Sequence, residues 1–197
     1  MNTIAPAQPQ KSVSTVLTQS VAMLTNPRGA ELAGTAARGT LLQASLYVGV
    51  VALIAGLLSF PLGISGALRV FLGTVVAFFA FTGLVYTTGQ SPQERSPFAD
   101  VAYTFALFMA PLSLIVPITM FILIHPAIGL GEQVFPILAV GSFLVLLLQA
   151  YIAGLVLQRP ALKMIDAQSL PAALFVAVVG TWFVQMLVIL LKAPWMA

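Results

Sequence analysis

GQSPQERSPFADVAYTFALFMAPLSLIVPITMFILI, residues 89–124, decides how this chain is read. A short polar loop carries Glu94 and Arg95, and Pro97 opens an apolar run. Asp100 lies one turn inside that run, and Pro111 and Pro117 interrupt it. Once the loop is set aside, the apolar part from Phe98 to Ile124 exceeds the roughly 20 residues that cross a bilayer. A span of that length tilts, or bends at its prolines, because each proline removes a backbone donor and its ring displaces the preceding turn. Neighbouring helices and Ser113 are the expected partners for the freed carbonyls.

Working outward, the same apolar character recurs. Of the 197 residues, 60% are hydrophobic and 7% charged, whereas a soluble domain carries about 25% charged residues. Too little polar surface remains to cover a water-facing fold, so the exterior must face lipid. The fold class is therefore all-α, a polytopic bundle of five transmembrane helices with a short amphipathic N-terminal helix. The spans are read at about 41–60, 68–87, 98–124, 136–157 and 171–191, within a transmembrane domain over 39–192. Residues 1–11 read as a disordered tail, 12–38 as an interfacial N-terminal segment and 193–197 as a C-terminal tail.

In the N-terminal segment Val13, Val16, Leu17, Val21 and Leu24 recur at helical spacing, and the polar residues lie mostly elsewhere. This helix is too polar to span. It either packs on the spans or lies in the interface, with partner binding a third reading. Spans one and two are joined so closely, through Pro61 and the turn read at Gly63–Gly66, that they form an antiparallel hairpin. Pro136 and Pro171 suit helix starts, where a missing donor does no harm. A short interfacial helix is expected over 161–169, and Lys192 with Trp195 reads as an interface anchor. The small pairs Ala52/Gly56, Gly73/Ala77 and Ala173/Ala177 read as packing surfaces, with dimerisation as the alternative.

Basic residues set the orientation. Lys11, Arg28, Arg38, Arg95, Arg159 and Lys163 fall on one side of the five spans, and Arg69 and Lys192 on the other, six against two. The N-terminus is expected in the cytoplasm and the C-terminus outside. The net charge of +3 is small and scattered, so no nucleic-acid partner is implied. Membrane lipids are the implied partners, with a membrane protein or a second copy of the chain beside them.

Chemistry is sparse. There is no cysteine and one histidine, His125, so no metal set is expected. Phosphate-binding loops, nucleophile elbows and zinc-protease pairs are missing from the sequence. No catalytic, cofactor-binding or metal-ligating residue is assigned, and a non-enzymatic protein is expected. The positions singled out are Asp100, Tyr103, Pro111, Pro117, Arg69 and Tyr151. Asp100 reads as a helix-start carboxylate favoured by the dipole, with Arg95 or Arg159 as possible partners. Arg69, read in the first turn of span two, is expected to reach the outer interface. Gln149, Gln185, Ser142, Thr119 and Thr181 are read as interhelical hydrogen-bonding residues.

With the spans placed, three segments carry a family likeness. They are MLTNPRGAEL (Met23–Leu32), SPFADVAYTFALFMAP (Ser96–Pro111, with Phe98, Tyr103 and Pro111) and LQAYIAGLVLQRPAL (Leu148–Leu162, with Tyr151). In these the chain resembles the Yip family, five-span membrane proteins named for interaction with Ypt/Rab GTPases, and its bacterial relatives. The resemblance implies membrane organisation or binding of membrane proteins or lipids, and it supplies no catalytic residue. The short N-terminal tail departs from the long acidic or aromatic domain of eukaryotic members and looks bacterial, so GTPase binding is not carried over. A small transporter, channel or lipid-moving protein using the broken third span is the alternative.

Overall fold

The computed structural model describes residues 13–27, 39–89, 97–124, 134–157 and 169–190. Seven α-helical segments appear among them, and no strand. They are α1 (Val13–Thr25), α2 (Leu41–Leu58), α3 (Gly63–Thr88), α4 (Phe98–Ser113), α5 (Ile115–Ile124), α6 (Val134–Leu157) and α7 (Leu170–Leu190), with a single 3-10 turn at Phe60–Leu62. Five spans are long and apolar enough to cross a membrane: α2, α3 with its preceding 3-10 turn, α4 with α5, α6 and α7. The tail over 1–11, the segment over 28–38, residues 161–168 of the helix expected over 161–169, and Arg95, His125, Glu132, Arg159, Lys163, Lys192 and Trp195 lie outside the described residues.

Local chemistry sets the helix ends. Thr40 begins α2 with a reciprocal cap: Gln43 N–H donates to Thr40 Oγ1 (3.2 Å) and Thr40 N–H donates to Gln43 Oε1 (3.1 Å). This satisfies two donors that a helix start leaves open. At the other end Ser59 N–H returns to the carbonyls of Ala55 and Gly56, and Ser59 Oγ donates to Ala55 O at 2.9 Å. The reversal then falls on Ser59–Leu62. Gly63–Gly66, expected as the turn, instead forms the first turn of α3, which runs for 26 residues. Gly63 sits at φ +81° and ψ 171°, a region essentially reserved for glycine that costs a side-chain-bearing residue on the order of 1–3 kcal/mol. Pro136 and Pro171 each lie in the first turn of their helices, as their chemistry requires.

The third span is broken rather than merely tilted. α4 runs through Pro111 and ends at Ser113; Leu114 is a turn, and α5 begins at Ile115. The cause is Pro117. Its missing N–H leaves Ser113 O without a ladder donor, and its ring disfavours continuing the helix from that carbonyl. As the third residue of α5, Pro117 stands where helix donors have no partner anyway. Pro111 is tolerated inside α4.

α4 is the centre of the bundle. Every residue from Val101 to Ala110 is buried. Half of the apolar window of this span is buried, against 22–44% in the other four. It packs against α1, α2, α3 and α6, and α7 covers α3 and α6 from outside. Aromatic pairs join α3 to α4 at Phe81–Phe105 (6.0 Å between centroids) and Tyr86–Phe98 (5.1 Å), while Phe143–Trp182 (5.8 Å) joins α6 to α7.

Small residues set the helix approach. A Cβ at Gly56 would lie 3.1 Å from Ala67 O and 3.3 Å from Phe71 Cβ, so Ala52 and Gly56 close the α2–α3 hairpin. Ala173 and Ala177 are buried on the inner side of α7. Gly73 is different: a Cβ there would meet nothing within 4 Å, so no close helix contact passes through it.

Candidate functional site

The α1 end of the bundle brings together the most polar chemistry that the fold buries. Tyr103, in the second turn of α4, is fully buried. Its hydroxyl donates to Gln19 Oε1 of α1 at 2.8 Å. One residue along α1, Ser20 Oγ lies 2.9 Å from Tyr47 Oη of α2. Two tyrosines from two spans thus hold consecutive polar residues of the N-terminal helix. Met23, also fully buried, completes the seat. Gly39 lies against the face of the Tyr103 ring so closely that a Cβ would enter the ring. The chain therefore passes over Tyr103 just before α2 begins, and only glycine fits.

This seat decides which way α1 faces. Helical spacing puts Val13, Val16, Leu17, Val21 and Leu24 on one apolar face, and that face does not turn inward as a unit. Val16, Gln19, Ser20, Met23 and Leu24 turn inward, and Leu17 and Val21 are 52% and 60% exposed. The rotation follows from hydrogen bonding. A buried tyrosine hydroxyl must find a partner, and Gln19 and Ser20 supply one each. The helix packs on the spans while presenting an apolar outer edge. Sequence reasoning missed Gln19, Ser20, Tyr47 and Gly39, because the partners of a polar residue 27 or 84 positions away leave no local pattern.

Asp100 lies half-buried in the first turn of α4. Its backbone N–H donates to Pro97 O at 3.0 Å, and its carboxylate stands where the helix dipole favours an anion. Pro97 offers no side-chain cap. The expected partners Arg95 and Arg159 lie outside the described residues.

Deeper in the bundle, Gln149 of α6 is buried and donates through Nε2 to Met109 O at 3.2 Å. That carbonyl lies two residues before Pro111. Ser113 Oγ turns to Ala110 O at 2.6 Å, so the carbonyl that Pro111 releases, Leu107 O, is not the one Ser113 reaches. Of the five residues read as interhelical, Gln149 crosses between helices. Ser142 and Thr119 bond back to their own helices, at Ala139 O (3.0 Å) and Ile115 O (2.7 Å). Thr181 Oγ1 and Gln185 Oε1 are buried without a hydrogen-bond partner among the described residues. Hydroxyls of helical Ser and Thr reach their own carbonyls one turn back, so the sequence signal for a crossing bond is weak.

Arg69 lies farther inside its helix than expected, as the seventh residue of α3 rather than in the first turn. Its Nε is buried without a hydrogen-bond partner among the described residues. Tyr151 of α6 is 63% exposed on the outside of the bundle. Tyr103, Pro111 and Pro117 belong to the central span, while Arg69 and Tyr151 lie elsewhere, so the six positions form no single site. No group of three His, Cys, Asp or Glu side chains converges among the described residues.

The arrangement defines a polytopic helical membrane protein with a latched N-terminal helix. No family model, curated protein or solved structure matches the chain.

Proposed function

We propose that this chain is a non-enzymatic, Yip-type integral membrane protein that organises or binds other membrane components. The observation that carries the reading is the seating of α1. Its inner face is latched by Tyr47 and Tyr103, and its outer edge presents Leu17 and Val21. An apolar edge held in place at one end of a span bundle suits contact with lipid or with another membrane protein. The Yip-type assignment rests on the sequence likeness in Met23–Leu32, Ser96–Pro111 and Leu148–Leu162. A bacterial inner membrane rests on the same likeness, and a cytoplasmic N-terminus rests on the distribution of basic residues.

The test is a photo-crosslinking residue at Val21, with crosslinked material recovered in gentle detergent. Crosslinks to a membrane protein, to a second copy or to phospholipid support the reading. A monomer crosslinked to none of them overturns it. A reporter fused after Ala197 that is active only in the cytoplasm would reverse the orientation.

The break at Leu114 favours a second reading, a small transporter, channel or lipid-moving protein, since interrupted helices line many membrane pathways. Purified protein in liposomes that moves no ion, small solute or lipid removes it.

A further inference from the structure

Arg69 is the one basic side chain among the described residues. Its α-carbon lies about 9 Å along the helix from Gly63, at 1.5 Å per residue. At that depth the residue stands within the apolar part of α3. Ile64, Leu68 and Leu72 beside it are exposed to the surroundings of the bundle. A charged group so placed requires a counter-charge or a route to the interface. Side chains on a helix lean toward its N-terminus, so the guanidinium extends over Ser65 and Gly66 toward the bundle end opposite α1. The residue is half-buried, and its Nε is buried with no hydrogen-bond partner among the described residues.

The surface running down from Arg69 is unusual for a helix this apolar. Gly73, Val76, Ala80 and Gly83 follow it at four- and three-residue spacing, and all are half-buried. A Cβ at Gly73 or at Gly83 would meet nothing within 4 Å. Below the cation, then, lies a shallow furrow that no neighbouring helix fills at its glycines.

We propose that Arg69 and this furrow bind one anionic phospholipid. Its phosphate pairs with the guanidinium, and an acyl chain lies along Gly73–Gly83. Charge selects the occupant: a guanidinium offers a planar, forked donor set that matches phosphate oxygens. An apolar furrow continuous with that donor set suits a hydrocarbon chain. The proposal deepens the reading of the protein as a binder of membrane components and rests on it.

The probe is phosphatidylglycerol against phosphatidylcholine, counted on the intact protein by native mass spectrometry after extraction in mild detergent. The expected preference for phosphatidylglycerol is about fivefold, the contribution of one basic residue near an anionic headgroup. Arg69→Gln should bring the two lipids to parity. Arg69→Lys should keep part of the preference and guards against a folding defect. Gly73→Leu should reduce retention of both lipids without altering charge. Wild-type parity overturns the proposal, as does undiminished preference in Arg69→Gln, or displacement of the lipid by inorganic phosphate alone. Such a failure leaves crosslinking at Val21 untouched, so it is separable from failure of the broader reading.

Discussion

Tyr103 and Gln19, separated by 84 positions, are joined by a 2.8 Å hydrogen bond that fastens the N-terminal helix to the central span. The bond ties a fully buried tyrosine to a half-buried glutamine, so its loss removes a contact between helices that are distant in sequence.

Tyr103→Phe should destabilise the protein by roughly 0.5–1.5 kcal/mol, the net contribution of one hydrogen bond, with Gln19→Met costing a similar amount. The double variant should cost less than the sum of the two. A double-mutant cycle read from tryptophan fluorescence during denaturation in detergent measures the coupling. Strict additivity would show that the two side chains do not interact.

Gly39→Ala should displace the Tyr103 ring, since its Cβ would enter the ring. Overpacking of this kind costs about 1–3 kcal/mol. The expected signature is faster amide exchange across 13–25 together with α4, because the latch and the ring share one seat. An unchanged exchange pattern would mean that the chain near Gly39 moves aside without loss.

Pro117→Ala restores a donor to Ser113 O and removes the ring that ends α4. The two halves of span three should then approach one continuous helix. Spin labels at Ala99→Cys and Ile122→Cys report this directly, because the chain has no native cysteine. The label separation should lengthen toward the about 35 Å of a straight 23-residue rise. No lengthening would place the cause of the break elsewhere.

Gln149→Leu removes the buried donor to Met109 O. Interhelical side-chain bonds in membrane proteins average about 0.6 kcal/mol and reach about 1.7. A lowered thermal midpoint within that range is expected, with the helix content retained. A stabilised variant would show that the amide's desolvation outweighs its bond.

Much of the architecture is legible from local chemistry. Composition requires lipid on the outside, and apolar runs punctuated by Pro61, Pro97 and Pro171 place the spans to within a few residues. The helix starts at Pro136 and Pro171 follow because proline lacks the donor that a first turn does not use. The hairpin turn is less legible. Gly63–Gly66 reads as a turn, but the positive φ at Gly63 alone lets the chain reverse before it, and the rest joins α3.

The opening stretch, residues 89–124, shows the same division. From the sequence came a long apolar span interrupted by two prolines, with an acid at its start. Proline chemistry determines that such a span is weakened, because two ladder donors are gone. Which proline breaks it, and that α4 lies at the centre of the bundle, depended on how the other helices close around it. The seat of α1 was decided in the same way. Helical spacing gave Val13–Thr25 its apolar residues, but the direction that the helix faces was set by two distant tyrosine hydroxyls that needed partners once buried. Periodicity is written along the chain; hydrogen-bond satisfaction between residues 27 and 84 positions apart exists only after the spans have packed.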